Sequence, residues 1–257
     1  MELQSLKHGG GGHSHHLKLN IVTVENWITT NARESYIYMA YKDSIKELYI
    51  RRARYYDLTA NLYYLAGFRE WAYRKKAVKA LDLQAGATVV ELGCGTGLNF
   101  FILQEYIGDQ GQIIGVDLTP AMLDVARRRC QHNGWKNVRL VEHDAASYEF
   151  PARVDGIIST FALTLIPQYK QVIERAHLAL GTGSKLVIGD LRIPAWPRPL
   201  VSLAILLTSP FGVNREIGRR HPWEAMQSVF GNLHVDRYYF GAVYIATSTK
   251  AQDQTTV

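Results

Sequence analysis

Between Thr88 and Leu92 a short β-branched run feeds directly into Gly93-Cys94-Gly95-Thr96-Gly97, and no other feature of the chain restricts its folding as tightly. Glycine at every second position lets the backbone bend sharply with no side chain in the way, so the strand end offers bare backbone to a ligand. Alternation follows. Leu98 to Ile107 reads as a helix, Gln112 to Asp117 as a second strand, and Ala121 to His132 as a helix preceded by Pro120, which suits an opening turn because no amide hydrogen is needed there. Val138 to Glu142 and Val154 to Thr160 are the next strands. Gln168 to Leu180 is a helix, Gly181 to Gly183 a turn, and Lys185 to Asp190 the fifth strand; Val235 to Tyr239 and Ala242 to Thr247 make a closing pair. Short β-branched runs alternating with longer helical stretches specify an α/β fold: a doubly wound, mostly parallel seven-stranded sheet with helices on both faces.

A chain of 257 residues suits one such domain with a terminal extension. Its expected divisions are a Gly/His-rich tail over 1–16, a helical extension and lid over 17–81, the sheet domain over 82–248 and a tail over 249–257. In the extension, Arg51 to Lys76 carries seven basic residues against Asp57 and Glu70, interleaved with many aromatics. That composition serves a lid, or an amphipathic face whose long cationic stems cover apolar surface. An arm of this kind can also join subunits of a homo-oligomer.

The net charge of +6 favours anionic partners without choosing among them. Cys94 and Cys130 are the only cysteines, and a disulfide at Cys94 would tie down the glycine turn. Two reduced thiols in a cytoplasmic protein is the simpler reading. The apolar stretch Leu200 to Leu207, bracketed by prolines, is far too short to span a bilayer. It reads instead as a greasy cap, compatible with peripheral membrane contact. No histidine or cysteine spacing marks a metal site, and no metal is expected.

Asp117 ends the second strand 24 residues after Gly93, where a carboxylate can receive both ribose hydroxyls of a nucleoside cofactor. Nicotinamide dehydrogenases use the same geometry, so dinucleotide binding competes at this point. The set Glu91-Leu92-Gly93-Cys94-Gly95-Thr96-Gly97, Gly115-Val116-Asp117-Leu118-Thr119-Pro120-Ala121-Met122-Leu123 and His143-Asp144-Ala145 closely resembles the class I methyltransferases that bind S-adenosylmethionine. The resemblance runs over roughly Arg51 to Ser248. It is nearest to the quinone branch and to the phospholipid and homoserine-lipid N-methyltransferase branch.

What this resemblance implies is a division of labour. Gly93, Gly95 and Gly97, with Cys94 between them, leave room for the methionine end, and Glu91 orients the motif through a backbone or ammonium contact. Asp117 holds the ribose; Leu118 and Met122 pack on the adenine. Asp144 accepts from the adenine amine, the Ala145 amide addresses a ring nitrogen, and Thr160 and Phe161 face the sulfonium. Several have ordinary rivals: Met122 as helical core, Asp144 as a helix cap, Cys94 as a small buried filler. Tyr56 either touches the cofactor or fills the seam between helix and sheet, and Asp57 orients a lid or caps a helix.

Near the acceptor, Tyr56 and Tyr64 are candidates because aromatic faces attract a methylated ammonium. His221, in Arg220-His221-Pro222-Trp223-Glu224, is a candidate base because histidine exchanges protons near neutrality. Asp190 stands where a base could be, with its direction open. The expected activity is methyl transfer from S-adenosylmethionine to an amine of an amphiphilic or lipid-like small molecule. The alternative is C- or O-methylation of a quinone, aromatic or other hydrophobic metabolite; a noncatalytic cofactor-binding protein ranks lower. Nucleic acid is disfavoured as substrate, since Thr160-Phe161-Ala162-Leu163 stands where an Asn-Pro-Pro-Tyr-like motif would follow the fourth strand.

Overall fold

The computed structural model describes residues 36, 38–57, 67–194, 201–202, 205–206 and 217–252. The chain divides into two units between Ile45 and Lys46. In the first, residues 38–45 are helical; in the second, residues 46–52 are helical and the whole sheet follows.

From Glu70 onward the elements are α1 (Glu70–Ala80), β1 (Thr88–Leu92), α2 (Phe100–Ile107), β2 (Gln112–Asp117), α3 (Pro120–His132), β3 (Val138–Glu142) and β4 (Val154–Thr160). A 3-10 turn at Leu163–Leu165 leads to α4 (Tyr169–Ala179) and β5 (Leu180–Leu191). Then come α5 (Pro222–Phe230), β6 (His234–Tyr238) and β7 (Val243–Thr249). The seven strands lie in the order β3-β2-β1-β4-β5-β7-β6. β1 to β5 pair in parallel. β7 is antiparallel to both β5 and β6, so the last strand inserts beside the fifth and pushes β6 to the edge.

The expected seven-stranded α/β sheet is therefore present, with two local differences. The turn expected at Gly181 to Gly183 is an irregularity inside a longer β5, where the pairing with β4 jumps from Val154↔Leu180 to Gly156↔Lys185. Helix α5 falls in a stretch to which the pattern of the sequence assigned no element. Its signals were in the chain: Pro222 at the first turn, Ala225, Met226 and Phe230 on one buried face, and Gly231 closing it in a left-handed conformation.

Alternate residues of each strand feed two apolar layers. Val90, Leu92, Leu186 and Ile188 pack with α4 and α5. Val89, Ile113, Ile158 and Val187 pack with α1, α2 and α3 on the opposite face. Among the described residues no helix is long and apolar enough to cross a membrane.

Phe100, wholly buried at the start of α2, joins the second layer to the glycine turn. A Cβ on Gly97 would stand 2.5 Å from its ring, and one on Gly115 2.8 Å away. Two glycines thus make room for one phenyl group. Phe100→Ala should cost about 3–5 kcal/mol, the range for emptying a close-packed aromatic site. Urea denaturation measures this, and a loss under about 1 kcal/mol would mean that the ring does not hold the turn.

Candidate functional site

The glycine turn sits at the carboxyl end of the parallel strands, where ligands of open α/β sheets bind. Gly93, Gly95 and Gly97 have φ of 66°, 54° and 75°. Their reasons differ. A Cβ on Gly93 would collide with Ala162 Cβ at 2.3 Å, and Gly97 is filled by Phe100, whereas Gly95 has nothing within 4 Å. Packing requires two of the three glycines, and the middle one faces open space.

Backbone bonds hold the turn to β2. The Gly93 and Cys94 amides both donate to the Val116 carbonyl, at 2.8 and 3.0 Å. Asp117 does the rest: Oδ2 accepts from the Gly95 amide and Oδ1 from the Thr119 amide, each at 2.8 Å. Its carboxylate therefore clasps the turn to the start of α3, a role the sequence reading did not include. Burial raises the pKa of Asp117, opposed by those two amides.

Beneath the turn lies a buried polar network that sequence reasoning missed except for Glu91 and Thr160. Arg74, on α1, donates from Nε and Nη2 to Glu70 Oε1, at 2.9 and 2.6 Å. Its Nη1 donates to Thr160 Oγ1 at 2.6 Å and to Asn99 Oδ1 at 3.2 Å. Asn99 Nδ2 in turn donates to Glu91 Oε1 at 2.7 Å and to Thr160 Oγ1 at 2.9 Å. Glu91 Oε2 is buried and has no hydrogen-bond partner among the described residues. Burial pushes the Glu91 carboxyl from its ordinary 4.5 up to about 8, against the pull of Arg74 and Asn99. The one signal for Arg74 was Glu70 four residues before it, the spacing of a helical ion pair.

A second connection reaches the turn from the helical segment before α1. Thr96 Oγ1 donates to Asp57 Oδ1 at 2.7 Å, and Arg129 of α3 bonds both Asp57 and the Thr96 carbonyl. Asp57 thus ties its segment to the turn. Next to it, the Tyr56 hydroxyl is raised well above its usual range by burial and Glu70, with Arg74 opposing and Asp117 also acting on it. Tyr56 therefore lies within electrostatic reach of the cofactor candidates. So does Tyr49, whose ring is 6.1 Å from that of Tyr56 and whose hydroxyl is influenced by Asp117 and Asp190. Nothing in the local sequence singled out Tyr49.

Leu118 is partly buried, and Met122 is 2% exposed on α3. Asp144 Oδ1 accepts from the Ala146 amide at 3.0 Å, and Ala145 belongs to the first apolar layer. Phe161 follows Thr160 at φ 56°, and the Arg74 guanidinium lies 5.2 Å from its ring. Cys94 is buried against Gly115, and burial raises its thiol. Asp190 turns inward: it accepts from the Thr164 and Leu191 amides at 2.9 and 2.8 Å, and burial pushes its carboxyl up to about 6. His221 stands apart from the Glu91 network, stacked on Trp223 with 4.8 Å between centroids and 3.0 Å from Glu224. Tyr64 and most of the Leu200 to Leu207 cap lie outside the described residues.

Residues 83–210 match the family described as "Methyltransferase domain". The chain is 30% identical over 143 residues to the demethylmenaquinone methyltransferase of Shouchella clausii, an overlap of 55% of this chain and 60% of that one. A similar protein from Listeria welshimeri is 30% identical over 48% of this chain and 54% of its own. The chain therefore spans less than two thirds of these relatives' length. In fold it is similar to phosphoethanolamine N-methyltransferase 2 of Haemonchus contortus, with TM-score 0.57 and 16% identity over 71% of this chain and 53% of that one.

The half-satisfied Glu91 carboxyl has a pH signature. Its folded pKa exceeds its unfolded one, so the folded state binds the extra proton between 4.5 and about 8, and stability falls as pH rises through that window. Glu91→Gln should remove this decline, so that the stability difference between wild type and variant shifts in the variant's favour from pH 4.5 to 8. Denaturant titrations across that range check it; a constant difference would show that Glu91 is ionised throughout.

Proposed function

We propose, for a chain that belongs to the class I S-adenosylmethionine-dependent methyltransferases, that it moves a methyl group from S-adenosylmethionine to carbon or oxygen of a small, hydrophobic, quinone-like acceptor. The observation that carries the cofactor half is Glu91 Oε2, a buried carboxylate oxygen without a partner beside a glycine turn with an open face. Such an oxygen costs free energy until a donor or cation meets it. The methionine ammonium of the cofactor is a donor of the right charge.

The residues present fit the group. Asp117, besides clasping the turn, retains lone pairs for ribose hydroxyls at the strand end, and Gly95 leaves backbone exposed next to it. Leu118 and Met122 supply apolar surface for the adenine, and Asp144 and Ala145 its polar edge. Thr160 and Phe161 end β4, the position for the reacting centre. When bound, the cofactor supplies an electrophilic methyl on a sulfonium, so the chain's own work is to align the acceptor and exclude water. Tyr56 and Tyr49 close this space from the helical segment that Asp57 ties to the turn.

Relatives named for demethylmenaquinone favour a quinone-like acceptor over the lipid amine first expected. A mass-resolved screen with methyl-labelled cofactor, offering quinols, phenols and amphiphilic amines together, decides between them. Label on a quinol or phenol is expected. Label found only on amines would reverse the choice.

Cofactor binding has its own test. Burial pushes the Glu91 carboxyl up to about 8, and an ammonium placed against it should lower it again, so that binding near pH 7 releases a proton. Binding heats measured in two buffers of different ionisation enthalpy should therefore differ for wild type and agree for Glu91→Gln. Equal heats in the wild type would remove Glu91 from the cofactor site.

A further inference from the structure

A second pair of buried polar atoms without partners lies on the other face of the sheet from Glu91. The hydroxyl of Tyr244, a residue 0% exposed, has no hydrogen-bond partner among the described residues, and neither has Arg192 Nε. Tyr244 on β7 stands opposite Asp190 on β5, and the Arg192 amide extends that ladder by donating to the Ala242 carbonyl at 2.9 Å. Asp190, Arg192 and Tyr244 therefore share one face of the sheet, at the carboxyl end of β5. They converge on Trp223 of α5: the Arg192 guanidinium is 5.4 Å from the indole, and the Tyr244 ring meets it edge-on at 4.8 Å. His221 stacks on the same indole, tilted by 27°.

The chemistry of an occupant follows from these groups. Two donors with no acceptor bonded to them call for an oxygen, and the guanidinium favours a negative one. Burial and the nearby Asp190 carboxyl hold the Tyr244 hydroxyl in its protonated form, so it can only donate to such an anion. The stacked imidazole and indole beside the pair supply flat apolar surface for a ring. Asp190 accepts from the Thr164 and Leu191 amides, and neither of the two donors is bonded to it.

We propose that Arg192 and Tyr244 hold the ring oxygen of a planar phenolic or enolic acceptor as its anion. This deepens the quinone-like reading above and rests on it. Binding the oxygen as an anion, with its proton released to solvent, enriches the ring in electrons; attack on an electrophilic methyl would form the new bond to methyl as the sulfonium's S–C bond breaks and the sulfur leaves as a thioether.

The test uses the full chain and two probes, 2-hydroxy-1,4-naphthoquinone, an enolic acid, and 1,4-naphthoquinone, which lacks the hydroxyl, each titrated by tryptophan fluorescence. Wild type should bind the hydroxylated probe more tightly. Arg192→Gln should weaken that binding about tenfold or more, and Tyr244→Phe about three- to tenfold, the range for charged and neutral hydrogen bonds, with the unsubstituted quinone held within about twofold. Equal affinity of wild type for the two probes, or unchanged binding in both variants, would overturn the assignment. Tyr244→Phe should also keep or raise Tm, because it removes an unsatisfied hydroxyl; a fall of several degrees would mean that an internal water or protein group already satisfies it, and would overturn the assignment too. Titration with S-adenosylmethionine runs alongside: failure to bind it sinks the methyltransferase reading itself, whereas normal cofactor binding with no probe discrimination sinks only the oxygen site.

Discussion

Two ionisable groups buried at the end of the sheet, Arg74 and Glu91, set the terms for everything around them. Moving an ion out of water costs several kcal/mol unless hydrogen bonds replace the lost hydration. Here Arg74 is met by Glu70, Asn99 and Thr160, so its donors are well used. Glu91 reaches the same network only through Asn99 and keeps one oxygen bare. The imbalance is one-sided: the fold completes the cation and leaves one carboxyl oxygen of Glu91 bare.

The glycine turn is rigid for reasons independent of any ligand. Phe100, Ala162, the Val116 carbonyl and the Asp117 carboxylate fix it from below and from the side. Preorganisation of this kind means that backbone amides need not be reordered when a cofactor arrives. Asp57 adds a contact from outside the sheet, through Thr96 and Arg129. Because Asp57 and Tyr56 are adjacent in the chain, the carboxylate that grips the turn also holds Tyr56 within electrostatic reach of Glu70, Arg74 and Asp117.

The opposite face is organised on the same principle. Asp190 is buried but satisfied by two amides, while Arg192 and Tyr244 leave donors unused next to Trp223. Beside Arg74 an acceptor of Glu91 is left unsatisfied, and beside Trp223 the donors of Arg192 and Tyr244 are. A cation would suit the first and an oxyanion the second. That complementarity fits a positively charged methyl donor meeting an electron-rich ring.

Local pattern was enough to reveal the alternation of strands and helices, the glycine turn and the acidic end of β2, because each depends on residues within a few positions of one another. The turn's link to Asp117 was legible from spacing as well, though its use in clasping Gly95 was not. Pro222 and Gly231 mark α5 by the same local rules. What only the tertiary structure decided was the partnering of distant polar atoms: Arg74 with Thr160, Asp57 with Arg129, Asp190 with the Thr164 amide, Arg192 and Tyr244 around Trp223. The insertion of β7 between β5 and β6 belongs with these. Whether a buried oxygen or nitrogen is satisfied depends on side chains tens of residues away meeting in space, and periodicity along the chain carries no record of that meeting.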